Sequence, residues 1–362
     1  MTSVQLKVTK PVGLRTAIDN WTVPAGYLAA AAMGLPTTET VAAQRADLDL
    51  WSSGGCDPAG YLGIMERTRG HYAALVGVAP ERVAAGSQTS VITSLVAAAV
   101  PDGAEVLVVN GDFSSIIFPF LQRLPHGQND RGIRVRTVPI DVLAESVTEQ
   151  TWLVVFSHIQ SSTGVVADVA AIIEAAARHG AYTFCDTTQS AGVHPVDASL
   201  FDFSVCHTYK WLCAPRGAAF LTVSQQFQRL MSPIQAGWCA GEDIWESCYG
   251  PEMTLAADAR VFDVSPAFPS WVGAEPAIRL FSQLNISEVW HHATGLGNAL
   301  CDELGIPQQH QAIVTMPDPG SAGLNRLVAA GISASGRAGR LRFAFHLWNT
   351  EADVAAVALA LR

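Results

Sequence analysis

The chain carries 22 Lys+Arg, yet only three of these are lysines: Lys7, Lys10 and Lys210. Two lie in the first ten residues, and beyond them arginine supplies every cation but one. A solvated surface site accepts arginine in place of lysine. Amine chemistry does not, because a guanidinium stays protonated, whereas a lysine amine can lose its proton and condense with a carbonyl. Lys210, in CHTYKWLCAPRG, is therefore the first candidate for chemistry. The competing reading is an arginine-biased genome with one lysine left over. Asp186, in FCDTTQSAG, is the second candidate. It ends an apolar run over 182–185, and an acid at the end of a buried strand needs a partner, because an unpaired buried charge is costly. An arginine or a helix N-terminus would serve, and so would the protonated ring nitrogen of a bound pyridine.

Ala85-Gly86-Ser87-Gln88-Thr89-Ser90 precedes a helix-like stretch over 91–100. Glycine, hydroxyls and free backbone N–H groups at a helix start suit an anion such as phosphate, although serine and glycine there are also ordinary caps. An amine, an acid for a ring nitrogen and a phosphate cradle together describe pyridoxal phosphate (PLP). That cofactor acts as an electron sink when its ring nitrogen stays protonated.

These groups need a scaffold. Short β-branched runs at 106–109, 135–139, 152–157, 182–185, 203–206 and 218–223 read as strands, most of them buried. Between two of them, 168–180 (DVAAIIEAAARHG) reads as a helix capped by Asp168 and stopped at Gly180. Strand, helix, strand is a parallel βαβ unit, so the predicted fold class is α/β. Lys210 and Asp186 both follow strands, where such sheets place ligands. Past about residue 275 the pattern changes. A helix over 286–304, an alternating strand over 341–347 and a closing helix over 350–361 predict a smaller α+β domain. The expected division is a large domain over 21–275 and a small one over 276–362, with 1–20 packing on the latter.

With 362 residues the chain has length for two or three domains. Its net charge of −10 argues against a nucleic-acid partner. The uncharged stretches 20–38 and 83–101 are broken by proline, glycine and hydroxyl residues, so no membrane span is expected. The first residues lack the apolar core of a signal peptide, and a cytoplasmic location is expected. Seven scattered cysteines with no CxxC pair predict free thiols, not a disulfide framework or a metal site.

DTTQSAG followed by HTYKW resembles the class V aminotransferase family of fold-type I PLP enzymes, which includes cysteine desulfurases, kynureninases and isopenicillin N epimerase-like proteins. The resemblance extends from Tyr27-Leu28 to the stretch 342–350. It implies a large, mainly parallel-sheet domain with a small C-terminal domain, an amino-acid substrate, and a homodimer with the active site at the subunit interface. It implies that Lys210 forms the Schiff base and moves protons at Cα, and that Asp186 pairs with the pyridine nitrogen. Gln189 and Ser161 are implied at the ring hydroxyl. Phe113 falls where kynureninase-like members stack an aromatic ring and desulfurases place a histidine. Ser87, Gln88, His207 and Tyr209 are implied around the phosphate. Arg342 is implied at the substrate carboxylate, which a planar bidentate donor suits. Ser265, in FDVSPAFPSW, is implied as a phosphate ligand for the partner subunit.

Read by themselves, several of these residues have plainer explanations. Phe113 also reads as core, and His207 as a core histidine satisfied by backbone. Arg342 also reads as the partner of a structural acid, with Arg337 or Arg340 gripping the carboxylate. Trp238 and Tyr249 sit either at the site mouth or in interface packing, and His158 reads as structural.

Cysteine desulfurases carry a nucleophilic cysteine just before the carboxylate arginine. Here that region, residues 333–339 (SASGRAG), has none, and Cys301 lies in a helix-like stretch. The expected reaction is C–S elimination from a cysteine conjugate, as in family members of bacterial secondary metabolism. A transaminase is the main alternative, followed by an epimerase or decarboxylating deaminase. Less favoured are a desulfurase and a non-catalytic PLP-fold protein.

Overall fold

The structure, a computed structural model, describes residues 12–125 and 131–362. Lys7, Lys10 and most of the segment expected to pack on the small domain lie outside the described residues.

Seven strands form the large sheet: β1 (Val83–Gly86), β2 (Glu105–Val109), β3 (Arg134–Val138), β4 (Thr151–Ser157), β5 (Tyr182–Asp186), β6 (Phe203–His207) and β7 (Ala219–Val223). Their order is β1-β7-β6-β5-β4-β2-β3. From β6 through β3 all pairings are parallel, and β7 runs antiparallel to both of its neighbours. The central strands are covered on both faces, which is why they read as continuous apolar runs. Leu107, Val154 and Cys185 pack in one apolar cluster, while Val106, Val108, Val155 and Phe184 pack in another.

The helix Val169–His179 separates β4 from β5, capped by Asp168 Oδ1 accepting from Ala171 N and ending at Gly180, as its sequence predicts. Parallel pairing brings the C-terminal ends of β4, β5 and β6 to one rim, at Ser157, Asp186 and His207.

β1 was not expected from the sequence, and a buried ion pair holds it. Arg69, on the helix Pro58–Leu75, places Nη2 2.6 Å from Asp263 Oδ2 and donates through Nη1 to the Val83 carbonyl. Asp263 Oδ1 accepts from Ala85 N at 2.6 Å. Both side chains are at most 2% exposed. Arg69→Met strips a buried carboxylate of its cation and is expected to cost about 3–5 kcal/mol. Urea unfolding measures this, and the double variant Arg69→Met/Asp263→Leu is expected to regain much of the loss.

A second sheet follows the order β8-β10-β9, all antiparallel: β8 (Ile313–Pro317), β9 (Ser335–Arg337) and β10 (Arg340–Ala344). β9 and β10 are joined by Ala338-Gly339, both at positive φ, the two-residue turn that matches strand twist. Helix Ile286–Glu303 packs on β8, and helix Glu351–Leu361, opened by a Thr350/Asp353 capping box, packs on that helix. The strand expected over 341–347 ends at Ala344. Beyond it His346 N donates to Asn349 Oδ1 and Asn349 N to the His346 carbonyl, closing a turn. All of 341–347 is buried, so the turn mimics strand in composition.

Candidate functional site

Lys210 follows β6 and is 5% exposed. Among the described residues it forms no ion pair, and its Nζ lies 5.2 Å from the centroid of the Phe113 ring and 5.7 Å from that of Tyr209. Burial lowers its pKa from 10.5 to about 8, with Asp186 opposing the shift and Arg342 adding to it. The amine thus begins to lose its proton near pH 8, where an ordinary lysine is still fully charged. Below about pH 8 the buried ammonium costs stability; above 10.5 the folded and unfolded chains are both neutral and the cost vanishes. Lys210→Met apoprotein is therefore expected to unfold at higher urea than the parent at pH 7. The gap should close as pH rises from 8 through 10.5, and a constant gap would contradict the assignment.

The loop bearing Lys210 is held closely. Gly34 N donates to the Tyr209 carbonyl at 2.9 Å, and a Cβ on Gly34 would lie 1.9 Å from the Lys210 carbonyl, so only glycine fits there. Trp211 Nε1 donates to Gln189 Oε1 at 2.8 Å. The His346 ring stacks between Trp211, at 5.4 Å, and Trp348, at 3.9 Å, and its Nε2 bonds the Trp211 carbonyl. This column ties the lysine loop to the segment that follows Arg342.

Asp186 is 4% exposed and has no cation within ion-pair distance among the described residues. Its Oδ1 accepts from Thr188 N at 2.8 Å, and burial raises its pKa, with the Thr188 hydrogen bonds and Lys210 opposing. The arginine expected as the plainer partner is absent. Thr188 Oγ1 also accepts from His207 N, which fixes the end of β6 against that of β5.

A small cleft of about 60 Å³ opens beside Lys210. Gln88, Thr89, Phe113, Thr188, His207 and Arg216 are among its lining residues, together with Tyr209. Gln88 is the N-cap of the helix Thr89–Ala99 and supplies no side-chain cap, so the first N–H groups of that helix lack a side-chain acceptor at the cleft. His207 is buried, its Nε2 has no partner, and burial, with Arg216 and Lys210, drives its pKa down to about 4. The expectation of a backbone-satisfied histidine therefore fails for Nε2. Arg216 lies 4.2 Å above the Tyr209 ring.

Phe113 is 40% exposed at the cleft, which overturns the reading as plain core. Its loop is anchored by Asp112, which accepts from Ser157 N and Oγ and from Gln160 Nε2.

Arg342 lies on β10 and is 1% exposed. Its Nε donates to Ser335 Oγ, and its Nη1 to the carbonyl and hydroxyl of Ser161. No acid pairs with it among the described residues, and burial, with the nearby Arg337, lowers its pKa to about 10. The structural-acid reading of Arg342 fails. Arg340 is instead spent on Thr315 Oγ1, and Arg337 is exposed. Ser161 Oγ also accepts from Gln189 Nε2, whose other acceptor is the Ala31 carbonyl. Gln189 thus places Ser161 between itself and Arg342.

The remaining sequence candidates lie elsewhere. Ser87 is half-buried just before the lining residues, and Ser265 is exposed and does not line the cleft. Tyr249 is 90% exposed, and Trp238 packs on Trp245. His158 is buried behind the Asp186 carbonyl, to which its N–H donates. Thr188, Arg216, Trp211, Asp112 and Gly34 were not singled out from the sequence. Thr188 lies inside the DTTQ motif, and Trp211 and Arg216 lie inside the stretch CHTYKWLCAPRG around Lys210. Among the described residues no three His, Cys, Asp or Glu are placed to hold a metal ion, and no helix is long and apolar enough to cross a membrane.

An amine without an acid and an uncapped helix start with an unpartnered imidazole line one cleft, and an acid without a cation lies behind its lining residue Thr188. Together they fit the aldehyde, ring nitrogen and phosphate of PLP.

The family model for aminotransferase class-V matches residues 61–336. An uncharacterized aminotransferase of Bacillus subtilis is 26% identical over 63% of this chain and 61% of its own length. Isopenicillin N epimerase of Amycolatopsis lactamdurans is 29% identical over 48% of each chain. The chain thus matches less than two thirds of the length of these curated relatives. Among solved structures, the cysteine desulfurase CsdA of Escherichia coli superposes with a TM-score of 0.82 at 20% identity, covering 97% of this chain and 98% of the other. The cystine C–S lyase C-DES superposes with a TM-score of 0.82 at 21% identity, covering 94% and 97%. At such identities these two establish the shared fold.

Proposed function

Because the chain belongs to the aminotransferase class-V family, we propose that it is a PLP-dependent enzyme that eliminates the sulfur substituent from a cysteine conjugate. Lys210 would hold the cofactor aldehyde, Asp186 the ring nitrogen, and Phe113 the ring face. Gln88, His207, Tyr209 and the start of the helix Thr89–Ala99 would hold the phosphate, with Arg216 adding positive charge. The cofactor supplies the electron sink for charge developing at Cα.

The protein's own groups do the rest. Arg342, with no acid of its own, takes the substrate carboxylate and orients the amino acid beside Lys210. The Lys210 amine, whose pKa burial lowers to about 8, removes the Cα proton in its unprotonated form. The Cβ–S bond then breaks, the thiolate leaves with the electron pair, and a proton returned to sulfur completes the thiol. Addition of water to the remaining three-carbon fragment gives pyruvate and ammonium.

The observation that carries this reading is the β9–β10 hairpin, where a desulfurase keeps its cysteine and this chain has Ser335-Gly336-Arg337-Ala338-Gly339. Cys301 does not substitute: it is fully buried in the helix Ile286–Glu303, and burial raises its thiol pKa. Elimination needs no such thiol. The test is pyruvate release from an S-alkyl cysteine by PLP-loaded protein without a keto acid. Strict dependence on a keto acceptor would turn the reading to transamination, and persulfide formation would turn it to desulfuration.

The division into a large domain over 21–275 and a small one over 276–362, and a homodimer in which Ser265 of one copy completes the phosphate site of the other, are part of the same proposal. Sedimentation at the monomer mass would remove the dimer.

A further inference from the structure

The hairpin that carries Arg342 holds more positive charge than one carboxylate requires. Its register pairs Arg342 with Ser335 and Arg340 with Arg337. Side chains alternate between the faces of a strand, so Ser335, Arg337, Arg340 and Arg342 share one face. The 3.0 Å bond from Arg342 Nε to Ser335 Oγ fits that placement. On the neighbouring strand Thr315 lies opposite Arg342, and its Oγ1 takes Arg340 at 2.8 Å.

Arg337 has no comparable contact. Its Nη1 donates only to the carbonyl of Gly336, and the side chain is exposed. None of the three arginines pairs with an acid among the described residues, although the chain as a whole carries a net charge of −10. Like charges directly opposite across a ladder are destabilising, and Arg337 stands opposite Arg340. The register puts Arg337 on the same hairpin face as Arg342, and its charge adds to the positive field at Lys210 and Arg342. The fold itself does not need a cation there, because the turn is made by Ala338-Gly339 and the strand pairing by backbone.

We propose that Arg337 reads a second carboxylate, carried on the sulfur substituent, so that the preferred substrate is an acidic cysteine conjugate. The inference rests on the reading above in one respect: the amino acid's own carboxylate sits on Arg342 beside Lys210. With that end fixed, a substituent leaving Cβ along the hairpin face meets the free guanidinium, whose fork suits a carboxylate.

The test uses PLP-loaded full-length protein and a matched pair, S-propyl-L-cysteine and S-(2-carboxyethyl)-L-cysteine. Dissociation constants are read from the change in cofactor absorbance. The acidic member is expected to bind about two- to fivefold more tightly, the range of an exposed ion pair. In Arg337→Ala that ratio is expected to fall to about one. A ratio near one in the parent, or a preference that survives in Arg337→Ala, would overturn the inference while leaving pyruvate release and the elimination reading intact. A spectrum that responds to neither member would overturn the inference together with the placement of the amino acid.

Discussion

Lys210→Ala is expected to fold, to lose the yellow absorbance of covalently held PLP, and to lose turnover by on the order of 10⁴-fold. That size follows from removing the covalent anchor and the base together. Stability is expected to hold, because the side chain makes no ion pair and its burial as a cation is a cost. Lys210→Arg is expected to be equally inactive, since guanidinium does not condense with the aldehyde at any working pH. The comparison of the two variants separates charge from chemistry. A Lys210→Arg protein with turnover near that of the parent would show that position 210 supplies only a cation.

The second large effect is at Arg342. Arg342→Met is expected to cut kcat/KM by about a hundredfold or more, the loss of a buried bidentate grip on a carboxylate. The same change is expected to leave urea stability equal to the parent or higher by about 1–2 kcal/mol, because it replaces a buried cation that has no acid partner. A residue kept for packing would show the reverse: activity retained and stability lost. The hydrogen bonds to Ser335 and Ser161 set the orientation of the guanidinium and do not neutralise it. Arg342 is thus a place where stability is given up for binding, the usual pattern at functional sites.

How much of this was legible follows from what each residue must do locally. Lys210 stood out as the one lysine beyond the first ten residues, and Asp186 because a charge bordering an apolar strand is anomalous by itself; the structure leaves both without an ion-pair partner among the described residues. The parallel strands were legible because burial on both faces leaves unbroken apolar runs. β1 was not, since Val83–Gly86 is four residues ending in glycine and is held by Asp263, far along the chain. The long helices Thr38–Ser52 and Pro58–Leu75 were also missed, because alanine, glycine and polar residues blur their apolar stripe. The helix Phe268–Phe281 hid for a different reason: it carries Pro276 within it.

The supporting residues were invisible for a physical reason. Gly34, Asp112 and Trp211 act through contacts that exist only once distant segments meet: Gly34 against the Lys210 carbonyl, Asp112 against Ser157, Trp211 against Gln189. The strand read over 341–347 overran because Phe345, His346 and Leu347 are as buried as strand residues. What holds them is a turn, with the imidazole stacked between two indoles.

The central claim is that one amine, with its pKa lowered to about 8 by burial, is the attachment point for PLP. The direct measurement is to load the protein with PLP, reduce it with borohydride, digest it and map the mass increment by tandem mass spectrometry. The expected result is a single pyridoxyl-phosphate adduct on the Lys210 peptide, with uptake before reduction that quickens as pH rises through about 8. An adduct confined to Lys7 or Lys10, or no stoichiometric adduct at any pH, would contradict the account.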